Sequence, residues 1–108
     1  MKIITDSGAT KGDWRIISDQ GSELKRLLTP GTNVSAQTLQ VVLNTISDAC
    51  SLICREFQAE AVTNIHFYTA GVVTDTIREG IEKVLRGAFP NADIEIQNDL
   101  VGCARAAC

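Results

Sequence analysis

The chain has 108 residues, 44% of them hydrophobic and 21% charged, with a formal net charge of -3. That length suits one domain with one core, and the composition is that of a globular protein. An acidic balance without a basic cluster excludes a nucleic-acid backbone as a main partner, and no apolar run approaches the eighteen or so residues of a membrane span.

The first strand begins at Lys2, which leaves no room for a signal peptide, so a cytoplasmic location is expected. Residues Lys2 to Thr5 read as a buried strand that runs into Asp6. Gly8 and Gly12 adopt positive φ cheaply, so the backbone between them can curl and aim several N–H groups at one spot suited to a phosphate. The Ser7 and Thr10 hydroxyls and the Lys11 ammonium add donors there, and Asp6 is placed to hold a hydrated divalent cation. A polar hairpin loop of ordinary turn residues fits the same string.

Trp14 to Ser18 and Leu24 to Thr29 follow as strands around the turn Asp19-Gln20-Gly21-Ser22. Connections this short force antiparallel pairing, giving a three-stranded meander in which Trp14 packs as core. Pro30-Gly31-Thr32-Asn33 stops it. From an N-cap at Ser35, Leu39, Val42, Leu43, Ile46, Cys50, Ile53 and Phe57 step by three and four, which predicts a helix of about 25 residues. The strand Asn64 to Thr69 comes next, ended by Ala70-Gly71, and a right-handed crossover sets it parallel beside the first strand.

A second helix runs from Thr74 to about Ala88 with Ile77, Ile81, Val84, Leu85 and Ala88 on one side. Gly80 interrupts it at a cost of about 1 kcal/mol against Ala. After Phe89-Pro90-Asn91, Ala92 to Ile96 alternate as a strand, and Asp99 to Cys108 open a third helix without a C-cap, as in a chain cut inside a longer protein. The cysteines Cys50, Cys54, Cys103 and Cys108 fall within helical patterns and read as small buried thiols. The lone His66 completes no zinc set.

Three polar positions carry candidate chemistry. Asp99 follows a strand at the first turn of a helix, on the sheet edge expected for Asp6, and is either a functional carboxylate or a helix N-cap. Asn33 offers both a donor and an acceptor to a hydroxyl, or simply ends a turn. Gly71 either admits a ligand close to the backbone or ends its strand.

Taken together, Asp6-x-Gly8-x-Thr10-Lys11 with Asp13-Trp14 resembles the first phosphate motif of the acetate and sugar kinase, Hsp70 and actin superfamily. Within it, the likeness is to the BadF/BadG/BcrA/BcrD ATPase and N-acetylglucosamine kinase group. Pro30-Gly31-Thr32-Asn33 and Asn98-Asp99-Leu100-Val101-Gly102 fall where that group has its sugar-facing and catalytic segments, so the resemblance spans the chain.

It implies a ribonuclease H-like α/β half-domain, βββαβαβα, with a mixed five-stranded sheet flanked by helices. This would be the N-terminal lobe of a two-lobed enzyme whose second phosphate motif and adenosine pocket lie elsewhere. ATP and Mg²⁺ would be held at Asp6, Ser7, Gly8, Thr10 and Lys11, with Asp6 on the metal through water. A hexosamine such as N-acetylglucosamine would lie against Asn33, Gly71 and Asn98. Asp99 would orient its hydroxyl and take the proton late, since a carboxylate with a reference pKa of about 3.9 is a weak base.

The partners so implied are the sugar and the missing C-terminal lobe, with a homodimer as a further option. The same group includes ATPase activators of CoA-ester reductases and dehydratases, which need exposed cysteines for a shared iron–sulfur cluster. Cys103 and Cys108 are the late candidates for that. A two-metal nuclease on the same half-fold would need clustered carboxylates, for which Glu56 and Glu60 lie too far along the first helix. The lobe alone, one wall of a cleft, is expected to be inactive.

Overall fold

The computed structural model describes residues 1–8, 10–34, 36–71 and 73–98. Strands β1 (Lys2–Ser7), β2 (Lys11–Ile17) and β3 (Glu23–Pro30) form the meander, and helix α1 (Leu39–Cys54) and a short 3₁₀ turn lead to β4 (Asn64–Thr69). Helix α2 (Asp75–Ala88) then leads to β5 (Asp93–Asn98). The sheet order is β3-β2-β1-β4-β5; β1 pairs antiparallel with β2 and parallel with β4, which pairs parallel with β5. This mixed five-stranded sheet is the ribonuclease H-like half-domain. The third helix expected from Asp99, with Cys103 and Cys108, lies outside the described residues.

Alternation along β1 sends Ile3, Thr5 and Ser7 to one face of the sheet and Lys2, Ile4 and Asp6 to the other. The first face is covered by both helices. Ile3, Trp14, Ile16 and Phe67 form one buried cluster with Val42, Ile46 and Ile53 of α1 and Ile81 and Leu85 of α2. Each such side chain, withdrawn from water, contributes roughly 1.5–3 kcal/mol. Trp14 is core as expected: its ring meets Phe67 edge-on at 5.6 Å, and its indole N–H donates to Thr29 Oγ1 at 3.2 Å. Thr5 is equally buried, yet its Oγ1 has no hydrogen-bond partner among the described residues.

Several expectations change. The first helix is 16 residues, not about 25, and its N-cap is Thr38, whose hydroxyl accepts from the Val41 amide at 3.3 Å. Ser35 itself lies outside the described residues; the amides of Ala36 and Gln37 bond the Asn33 carbonyl, ahead of the helix. Phe57 keeps the helical spacing and packs on the core, although the helix has already ended. Cys50 is buried, which pushes its thiol up to about 12, but Cys54 is exposed.

Positive φ occurs, among the described residues, at Gly21 and Gly71 and not at Gly8 or Gly12. Gly12 is needed for a different reason. It sits within β2, and a Cβ there would lie 2.6 Å from Thr29 Oγ1 and 3.3 Å from Ser7 Oγ. At Gly80 a Cβ would meet Leu39 at an ordinary 3.6 Å, so packing does not demand the glycine.

Candidate functional site

Because β1, β4 and β5 are parallel, their C-terminal ends share one rim, with Ser7 in register with Thr69 and Thr69 with Asn98. In open sheets of this kind, ligands gather outside the carboxyl ends of the strands. Two strand spacings, about 10 Å, separate the end of β1 from the end of β5. Asp6 and Asn98 are thus brought to the same edge. Asp99, the expected catalytic carboxylate, follows Asn98 and lies outside the described residues.

Two rows of side chains cross the sheet here. On the helix-covered face, register aligns Thr29, Gly12, Ser7, Thr69 and Asn98; on the opposite face it aligns Leu28, Asp13, Asp6, Tyr68 and Gln97. Asp6 and Ser7, adjacent in the motif, therefore point to opposite sides. Asp6 is exposed. Ser7 is buried, and its Oγ accepts from the Thr32 amide at 3.0 Å and from Thr32 Oγ1 at 2.7 Å.

The loop between β1 and β2 closes as a tight hairpin in which the Gly8 amide donates to the Lys11 carbonyl at 2.9 Å. That amide is used within the loop. Thr10 and Lys11 are exposed at its tip, and Lys11 projects from the same face as Asp6. The neighbouring Asp13 is braced by Arg26, which donates to both carboxylate oxygens at 2.9 and 2.7 Å, with Arg15 at 3.5 Å. These guanidinium hydrogen bonds, Arg26 first, hold the Asp13 carboxyl below the usual carboxylate range. Two positions further down this face, His66 Nδ1 lies 3.0 Å from Glu95 Oε2.

Asn33 is half-buried and forms a parallel bridge with Ala70, which sets it beside the end of β4. Gly71 follows at φ +91°, a conformation that L side chains rarely adopt. From the Gly31 carbonyl to the Val34 amide, every backbone polar group is bonded. Thr69 Oγ1 donates to the Thr32 carbonyl at 3.0 Å, and the Val34 amide donates to the Ala70 carbonyl at 3.2 Å. The Gln37 side chain straddles the segment, accepting from the Asn33 amide at 3.2 Å and donating to the Gly31 carbonyl at 3.4 Å.

Thr32, Thr69 and Gln37 were not among the residues expected at the site. Thr32 stands inside the segment Pro30-Gly31-Thr32-Asn33, but nothing in the string says that its hydroxyl turns inward. Beyond β5, a groove of about 420 Å³ is lined by Val73, Arg78 and Ile94 to Asn98, so the rim opens outward at Asn98.

No three His, Cys, Asp or Glu side chains among the described residues converge on a metal position, and no described helix is long and apolar enough to cross a membrane. An exposed single carboxylate such as Asp6 suits Mg²⁺, which keeps most of its waters and is held by one or two carboxylates plus phosphates.

No family model and no curated protein matches the chain. Among solved structures it is similar to the crystal structure of a Porphyromonas gingivalis protein provisionally named an N-acetylglucosamine kinase, with a TM-score of 0.79 and 31% sequence identity. The match covers 100% of this chain and 38% of that one, so the chain spans little more than a third of its neighbour's length.

Proposed function

We propose that this chain is the N-terminal lobe of an ATP-dependent sugar kinase whose acceptor is N-acetylglucosamine or a related hexosamine. The observation that carries the reading is the structural similarity, over the whole of this chain, to a protein provisionally named as such a kinase; the parallel strand ends that bring Asp6, Asn98 and the Asn33–Ala70 bridge to one rim support it.

Thr10 and Lys11, at the hairpin tip, reach the nucleotide's phosphates, and Gly8 keeps the backbone there slender. Asp6 holds the accompanying Mg²⁺ through water. ATP with Mg²⁺ supplies the phosphoryl group and neutralises its charge. Ser7 serves this loop from beneath, since its oxygen is engaged by Thr32. Asn33, with an acceptor and two donors in its amide, selects a sugar hydroxyl. The Gly71 backbone permits close approach on the same side, with Asn98 lining the far part of the acceptor site.

Asp99 orients the attacking hydroxyl in line and accepts its proton as the bond to the γ-phosphorus forms and the bond from that phosphorus to ADP breaks. The other wall of the cleft, with the adenosine pocket, belongs to a C-terminal lobe. The iron–sulfur activator reading gains nothing from the described cysteines: Cys50 is core, and Cys54 lines a groove between α1 and α2.

The test is calorimetry and a coupled phosphorylation assay on the full-length protein that carries this lobe, with N-acetylglucosamine and ATP. Asp99→Asn should lower kcat by at least about a hundredfold while sugar Kd changes little. Failure to bind or phosphorylate any amino sugar would overturn the substrate assignment.

A further inference from the structure

We propose that Thr32 and Thr69 are positioning residues for Asn33, holding it in one orientation toward the acceptor sugar; this rests on the kinase reading above. Three side chains from three separate segments meet beneath the rim: Ser7 at the end of β1, Thr32 in the segment after β3, and Thr69 at the end of β4. All three are buried to within about one per cent of full burial. Their oxygens form a continuous chain. Thr32 Oγ1 donates its one proton to Ser7 Oγ at 2.7 Å and accepts at 2.7 Å from Thr69 Oγ1, whose proton is shared with the Thr32 carbonyl at 3.0 Å.

Residues Gly31 to Val34 belong to no helix or named strand, and a single bridge from Asn33 to Ala70 is their one regular pairing among the described residues. Thr32 adds the rest: its amide and hydroxyl are tied to β1 and its carbonyl to β4, which fixes both peptide planes on either side of it. Asn33 begins where the second of those planes ends. Its own amide and carbonyl are then held by Gln37 and by the turn to Ala36, so the Cα–Cβ direction of Asn33 follows from bonds that Thr32 anchors. A buried network of this kind is sensitive to loss of one member, because the remaining polar groups are left unpaired away from water.

The geometry predicts a selective defect. In the full-length kinase, Thr32→Val keeps the side-chain shape and removes the hydroxyl. It should raise the KM for the amino sugar about tenfold, equivalent to about 1.4 kcal/mol, with the KM for ATP within about twofold of wild type. Thr69→Val should do the same, and Thr32→Ser, which restores the oxygen, should recover most of the loss. Amide hydrogen exchange gives a second readout: Asn33 and Val34 should lose protection in Thr32→Val while Ile65 to Phe67 keep theirs.

An unchanged sugar KM, or equal damage to both substrates, would overturn the positioning role. If Thr32→Val does not fold, Thr32→Ser and Thr69→Val decide it by the same measures. Should the wild-type protein phosphorylate no hexosamine, the kinase reading fails by itself. The exchange pattern still tells whether Thr32 fixes the segment that carries Asn33.

Discussion

At the shared rim, the inner row of Ser7, Thr69 and their neighbours directs its polar atoms at one another, whereas the outer row of Asp6 and Asp13 faces solvent and cations. One residue of displacement along β1 separates the two. In the inner row, burial removes water as an alternative partner, so each hydroxyl must be matched and each extra atom displaces something. In the outer row, water competes for every contact, and the ion pairs around Asp13 add little to stability. A contiguous motif therefore divides into a buried joint and an exposed surface solely because a strand alternates.

The contrast can be broken or sharpened by substitution. The largest expected effect is at Gly12, where a methyl would displace the Thr29 hydroxyl from its place between the Trp14 indole and the Pro30 carbonyl. Gly12→Ala should cost about 2 kcal/mol in urea unfolding, as overpacking does. In a Thr29→Ala background the added cost should shrink, so strict additivity of the two changes would refute the steric account.

Next in size is Thr5, on the same inner face two residues before Ser7. Its hydroxyl is buried without a partner among the described residues, so Thr5→Val should stabilise the fold by about 1 kcal/mol. A lower midpoint in Thr5→Val would mean that the oxygen has a partner after all. The smallest effect belongs to the outer row. Asp13 has a folded-state pKa lowered by Arg26, so its contribution is present above the unfolded value of about 3.9 and is lost as pH falls through the lowered one. Asp13→Asn should remove only a few tenths of a kcal/mol at neutral pH, less in high salt, and should flatten the acid limb of stability. A loss as large as that of Gly12→Ala would erase the distinction between the rows.

Much of the fold could be read from the string because its periods are clear. The meander follows from short polar turns between alternating runs, and the parallel placement of β4 follows from the helix that precedes it. Trp14 was legible as core by the company it keeps. The limits of α1 were less so: Ser35 and Thr38 are both cap-forming residues, and Phe57 continues a spacing of three and four after the helix has stopped. Which one wins depends on bonds to Asn33 that are settled by tertiary contact.

For the candidate rim, the string placed residues near the strand ends but did not give the directions of their side chains. Ending the first strand at Thr5 rather than Ser7 hides the fact that Asp6 and Ser7 diverge, and only the full strand fixes which face each takes. Gly12 was read as a source of backbone freedom; its real constraint is the crowding of two hydroxyls from other strands. Thr32 and Thr69 are 37 positions apart, and no local pattern signals that their oxygens meet.

That separation also bears on when the molecule becomes competent. The partners of Thr32 lie 25 residues earlier and 37 residues later, so the Asn33 segment cannot be set until α1 has carried the chain across and β4 has docked. Closing such long loops comes late on a folding route governed by sequence distance. A collapsed species holding the meander alone would carry the hairpin at Thr10 and Lys11 but no fixed Asn33 segment, so under the proposed function sugar recognition by Asn33 would report completion of the β4 pairing and not collapse.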